Sequence, residues 1–454
     1  MASIQSRNGK YYLVYYYLDV DNKKKQKWET FKTNGEAKKR LKEIEYEQNK
    51  GTFIPPTTQT VSYYLKEFVS IYGTKNWSAS TYTSNISLIA NYVDPFIGNV
   101  NLQSLTPLVI ERYYKKLQSS TSAKNNITKD GSKVSASTIR EVHKVLKTAF
   151  NNAVIWELVQ SNPFLKVKPP AHKSEKRAIW TADQISTALK ACNDPKLTIA
   201  IQLSFACSLR IGELLGLTWN NVHISHKEID EDNAYIFIDK QLVDIHKASM
   251  EALDMKDVIK VFKNGDDRKT CLVLKTPKTA SSVRKIWLPK TLALLLRDWK
   301  EQQEVYKGYY GESYVENDLV ICWENGRPCR ESNIRQRFNT LIKETGLPKV
   351  VFHSLRHSST TYKLKLNHGD IKATQGDTGH SQTDMITDVY SHILDEDRKL
   401  NAQRFDDSFY ESGVSAATSS KKVDIDKLVS SLKENPELLE KIVGLLNKTN
   451  DKEN

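Results

Sequence analysis

The sequence predicts a multidomain α+β protein: a small N-terminal three-stranded sheet plus one helix, a helical bundle, and a mainly α C-terminal domain with a small antiparallel sheet. Three observations lead there. The chain has 454 residues, too many for one ordinary domain. Strand formers gather near the N-terminus and again between Tyr235 and Leu288. Apolar residues at helical spacing fill most of the remainder.

The elements follow in order. Tyr11-Tyr12-Leu13-Val14-Tyr15-Tyr16-Tyr17 reads as a strand, Asp21-Asn22-Lys23 as a hairpin tip, and Gln26 to Phe31 as an alternating strand. Thr33 or Asn34 caps a helix through Glu36–Ile44, and Pro55-Pro56 ends the unit. Such a sheet, rich in Lys and Tyr, can enter a DNA major groove, or its aromatics can form its own core. Between about residues 60 and 165 the pattern is helical. Val61, Leu65, Phe68 and Val69 share one face, as do Ile86, Ile89, Ala90 and Val93. Asp94-Pro95-Phe96-Ile97-Gly98 breaks the pattern. Thr106 caps a helix carrying Val109, Ile110, Tyr113 and Leu117. The polar stretch from Ser119 to Ser135 is an exposed loop, after which Ser137 opens a helix with Ile139, Val142, Val145, Leu146, Ala149 and Phe150. Pro169-Pro170, with Lys173, Lys176 and Arg177, makes an extended basic linker, either crossing a duplex or serving as a plain tether.

Thr181 caps the first helix of the next domain. Its strands are Tyr235–Ile238, Cys271–Leu274 and Lys285–Leu288; Lys247 to Lys269 is a polar insertion with an Asn264-Gly265 turn, and helices resume at Leu292. From residue 411 a tail begins. Ser412 to Ser420 is a flexible linker. Two amphipathic sets follow, Ile425, Leu428, Val429 and Leu432, then Leu438, Leu439, Ile442, Val443, Leu445 and Leu446. They make either a contact with a neighbouring protomer or a weakly structured end.

Composition narrows the function. With 39% hydrophobic and 27% charged residues, the chain has the make-up of a soluble globular protein. No apolar run reaches the ~20 residues of a membrane span, and no apolar signal core follows Met1-Ala2-Ser3. A cytoplasmic, nucleoid-associated protein with no membrane partner is expected. Cys192, Cys207, Cys271, Cys322 and Cys329 form no Cys-x-x-Cys pair, so reduced, mostly buried thiols are expected rather than a zinc site or disulfide framework. A net charge of +13 and a pI of about 9.2 favour polyanions, nucleic acid first.

Five short segments specify the chemistry. They are Leu209-Arg210-Ile211-Gly212-Glu213-Leu214, Thr276-Pro277-Lys278-Thr279, His353-Ser354-Leu355-Arg356-His357, Thr378-Gly379-His380 and Val389-Tyr390-Ser391-His392. Arg210 and Arg356 can fork donors onto phosphate oxygens. Glu213, one turn after Arg210, can orient it. Lys278, whose neighbours are Lys275 and Lys285, can protonate a leaving alkoxide. His353, three residues before Arg356, shares its helix face and can take a proton. His380 can donate to the phosphate. A phenol such as that of Tyr390, with an ordinary pKa of ~10, needs cations of this kind around it to act as a nucleophile, the role that the family resemblance described below implies for it.

These segments, in this order, resemble the tyrosine recombinase (integrase) family, closely in the C-terminal half and more loosely in the N-terminal half. The resemblance implies an arm-type DNA-binding domain at 1–56, a helical core-binding (SAM-like) domain at 57–168, a linker at 169–178, a catalytic domain at 179–410 and a tail at 411–454. In the family the lysine lies on a β-hairpin and protonates the departing 5′ oxygen; the family's usual residue before Gly379 is leucine, and Thr378 stands there. The resemblance further implies metal- and ATP-independent DNA cleavage and rejoining, with no cofactor. Its partners would be double-stranded DNA at core and arm sites, a homotetramer on DNA, an excisionase and a host DNA-bending protein. The front module points to the integrase of a phage or integrative conjugative element. A non-cutting DNA-binding regulator and a type IB topoisomerase are the alternative readings.

Overall fold

Asn8 and Gly9 both take left-handed backbone angles, with φ of 53° and 71°, and so close a tight hairpin. This turn brings Ser3–Arg7 (β1) onto Lys10–Leu18 (β2), and Lys24–Phe31 (β3) pairs on the other side, giving the antiparallel order β1-β2-β3. The three-stranded sheet is thus present, with its first strand in a segment that sequence periodicity leaves unassigned. Leu13 and Tyr15 are buried against Ile44 of the helix Asn34–Asn49 (α1), while Tyr16 and Trp28 stay exposed. Thr33, rather than Asn34, caps α1 through a reciprocal pair of hydrogen bonds with Glu36.

The computed structural model describes residues 2–18, 23–121, 133–171, 178–262, 268–277, 282–367, 370–372 and 374, all within the compact unit Met1–Ser381. In the helical segment, Val61–Phe68 (α2) runs into a π-helical turn, Val69–Gly73. Ala79–Leu88 (α3) does the same through Ile89–Val93 and continues into Asp94–Ile97. Pro95 therefore does not break the helix. It occupies the first turn of the new segment, where a missing N–H is tolerated. The buried face is Tyr82, Ile89, Tyr92 and Val93, whereas Ile86 and Ala90 are exposed. The wide π turn departs from the 3.6-residue spacing that grouped them. Pro107–Ser119 (α4) is capped by Thr106, and Ala136–Ile155 (α5) by Ser135, two residues before the expected start. Tyr64, Phe68, Phe150 and Phe164 centre the shared core.

The C-terminal domain begins with Ala182–Ala191 (α6), Pro195–Ala206 (α7) and Ile211–Leu215 (α8). Strands Val222–His223 (β4), Tyr235–Ile238 (β5) and Gln241–His246 (β6) follow, then Lys247–Ala252 (α9), Val258–Phe262 (β7), Thr270–Lys275 (β8) and Arg284–Trp287 (β9). Lys290–Tyr310 (α10), Glu331–Thr345 (α11) and Ser354–Leu366 (α12) follow among the described residues. Two three-stranded antiparallel sheets replace the single small sheet expected, in the orders β4-β5-β9 and β6-β8-β7. They meet at a break: Ile238 pairs with Arg284 and Gln241 with Lys275.

The expected polar insertion at 247–269 contributes α9 and the edge strand β7 to this architecture. It also touches the helical segment. Tyr82 packs with Ile245, Leu253 and Val273, and the Thr83 hydroxyl lies 2.7 Å from that of Ser249. Cys207, Cys271, Cys322 and Cys329 are buried, as the composition led one to expect. Among the described residues no helix is long and apolar enough to cross a membrane.

Candidate active site

Arg210 occupies the residue before α8, in extended backbone, because the chain reverses just upstream. Ser208 takes a left-handed φ of 54° and is buried. Glu213, on the third position of α8, then accepts the Arg210 backbone N–H through Oε2 at 3.0 Å. The same carboxylate takes the Arg210 side chain through Oε1, 2.8 Å from Nη1. One buried glutamate thus caps the helix and aims the guanidinium. The Arg210 side chain stays 39% exposed, enough to meet a ligand from solvent, while that of Glu213 is 4% exposed.

The glycines of this segment have a packing reason. A Cβ on Gly216 would lie 2.6 Å from Leu242 N and 2.7 Å from Gln241 Cα, both backbone atoms of β6. Gly212 faces the Leu242 carbonyl, where a Cβ would come to 3.3 Å. Strand β6 is therefore pressed onto α8. Gly216→Ala must displace that strand, and a loss of about 1–3 kcal/mol in a urea titration is expected; an unchanged midpoint would refute the contact.

Glu213 has a second arginine. Arg284, the first residue of β9, donates from Nη2 to Oε2 at 3.0 Å and from Nη1 to Oε1 at 3.4 Å. Both side chains are buried. Burial pushes the Glu213 carboxyl up, but Arg284, then Arg210, outweigh it and hold the group below the usual carboxylate range. Sequence reading did not single out Arg284. The signal was its phase: Arg284 and Ile286 alternate inward along β9, so a charge falls where an apolar residue is expected.

Arg356 enters from α12. His353 precedes the helix and Arg356 lies in its first turn, 1% exposed. Its Nη1 donates to the carbonyl of Ser208, so the left-handed turn that places Arg210 also holds Arg356. The Ser208 hydroxyl is 2.6 Å from that of Ser359, and the Trp180 N–H donates to Ser358 at 3.1 Å, fixing α12 in register. Burial, then the nearby Arg210 charge, pushes the Arg356 guanidinium down to about 9. Among the described residues, three guanidiniums thus gather around one carboxylate. The His353 and His357 rings meet edge-on at 5.0 Å.

The structure therefore brings together Arg210, Glu213 and Arg356, and places His353 one turn from Arg356. Lys278, His380 and Tyr390 lie outside the described residues, as do residues 411–454. The strands flanking Lys278 do not pair with each other as a hairpin; β8 and β9 belong to different sheets. The two competing lysines have other partners. Lys275 is buried 3.6 Å from Asp257, and Lys285 lies 3.7 Å over the rings of both Tyr235 and Trp287.

Comparison with known proteins agrees along the chain. Residues 3–48 match an arm DNA-binding domain, 60–118 the N-terminal SAM-like domain of phage integrases, and 248–397 the phage integrase family. The last match spans Lys278, His353, Arg356, His380 and Tyr390; Arg210 precedes it. A XerC-like tyrosine recombinase of Caldanaerobacter subterraneus is 25% identical over 330 residues, covering 70% of this chain and 75% of its own. The ICEBs1 integrase of Bacillus subtilis is 24% identical over 347 residues, covering 73% of this chain and 78% of its own. In fold, the chain is similar to the Tn1549 transposon integrase solved with a circular intermediate DNA, with a TM-score of 0.56 and 20% identity over 76% of this chain and 99% of that one. Carrying all three matched segments in order, the chain belongs to the phage integrase family of tyrosine recombinases.

Proposed function

We propose that this integrase cuts and rejoins double-stranded DNA through a 3′-phosphotyrosyl intermediate and a Holliday junction, integrating and excising a phage or integrative conjugative element. The Tyr390 phenol oxygen attacks the scissile phosphorus and gives its proton to His353. The bond to the 5′ oxygen breaks, and Lys278 protonates that oxygen. Arg210, Arg356 and His380 hold the non-bridging oxygens as charge builds on them. The 5′ hydroxyl of a partner duplex then attacks the phosphotyrosine and frees Tyr390. Bond energy is kept in the phosphotyrosine, so no nucleotide cofactor is consumed.

The observation that carries this reading is the pairing of Arg210 and Arg356 across Ser208, with Glu213 aiming the first. Two cationic forks converge beside the Glu213 carboxylate, an arrangement suited to gripping a phosphodiester. Lys278 itself lies outside the described residues; of the described residues flanking it in sequence, Lys275 pairs with Gln241 beside Gly212, and Arg284 holds Glu213.

Residues 1–56 would grip arm sites, 57–168 and 179–410 would clasp the core site, with 169–178 linking them, and 411–454 would pack on a neighbour. Exchange of all four strands needs four protomers on two sites, and direction would be set by an excisionase and a host DNA-bending protein. The reaction would take place on DNA in the cytoplasm, at the nucleoid. The test uses a duplex from the ends of the encoding element, nicked near the crossover. Wild type in EDTA is expected to form an SDS-resistant protein–DNA adduct and Tyr390→Phe none. Shifted DNA without an adduct from either protein would make the chain a non-cutting binder, and relaxation of plasmids lacking the site would make it a topoisomerase.

A further inference from the structure

The geometry points to Arg284 as a positioning residue for DNA cleavage, one that sets Arg210 through their shared Glu213. This rests on the covalent reading above. Each Glu213 oxygen takes one donor from each arginine: Oε1 from Arg210 Nη1 and Arg284 Nη1, Oε2 from the Arg210 N–H and Arg284 Nη2. The carboxylate is thereby fixed in rotation, and with it the direction of the Arg210 fork. A glutamate held by Arg210 alone, three residues away on one short helix, would be free to swing with it.

Arg284 itself is fixed from the other side. It donates from Nη1 to the Ser282 carbonyl at 3.0 Å, and its backbone is in the β5–β9 ladder opposite Ile238. The same guanidinium therefore holds both the Ser282 carbonyl and the carboxylate that aims Arg210. A lysine in its place could meet one carboxylate oxygen but not both in the same plane.

An ordinary structural role, in which Arg284 merely neutralises a buried carboxylate, predicts lost stability and nothing more. A double-mutant cycle separates the two. Single-turnover adduct formation on the nicked duplex, DNA affinity and thermal midpoint are measured for wild type, Arg284→Met, Arg210→Ala and the double variant. Arg284→Met is expected to slow adduct formation by about 100-fold, the effect of misplacing a reacting group by about 1 Å, with DNA affinity within a few-fold. In the Arg210→Ala background the same change is expected to cost less than about threefold. Arg284→Lys is expected to recover part of the rate; if the methionine variant does not fold, the cycle is run with lysine. Equal losses in both backgrounds, or a loss no larger than the unfolded fraction explains, overturn the proposal. Failure of wild type to form any adduct overturns instead the covalent reading beneath it.

Discussion

Arg356→Met is expected to slow strand cleavage by about 10³-fold while leaving the free protein at least as stable as wild type. The two effects have one cause. Arg356 is fully buried beside Arg210, and its depressed pKa means that the fold resists its charge. Methionine fills much of the same space without that charge. What is lost is the fork that would hold a phosphate oxygen, together with its hydrogen bond to the Ser208 carbonyl. Bound DNA should favour wild type over Arg356→Met, because a phosphate stabilises the charged form. Thermal midpoints of both proteins, with and without the duplex, provide the check; a variant that cleaves normally ends the phosphate assignment.

Glu213→Ala is expected to destabilise the protein by about 3–5 kcal/mol, since it strands Arg284 in the interior without its partner. Glu213→Gln keeps the size and loses the charge, and should fall in the same direction. A carboxyl held below its ordinary pKa contributes stability that is complete above the unfolded value and is lost as pH falls through the folded one. Wild type should lose its advantage over Glu213→Gln below about pH 4.3, the ordinary glutamate range. Urea midpoints between neutral and acid pH measure it, and equal midpoints at neutral pH would show that the three-way cluster contributes no stability.

The sequence by itself determined what depends on neighbours along the chain. Thr33, Thr106 and Thr181 cap helices because a cap is a hydrogen bond across three residues. The buried faces of α4 and α5 follow from spacing alone, and Arg210 with Glu213 was legible because one turn of helix joins them. The tertiary structure decided what depends on partners far away. Ser3–Arg7, too polar to announce a strand, becomes one through the ladder it joins, and Val258–Phe262, itself rich in strand formers, is a short run inside a polar stretch that becomes an edge strand on β8. Pro95 is absorbed by a π turn whose hydrogen bonds leave no periodic trace. Arg284 reaches Glu213 only once β9 is registered on β5, and Arg356 reaches Ser208 only once α12 is packed on α7. Local hydrogen bonding and periodicity can be read from a chain, but the burial of a charge depends on which distant residue arrives to balance it.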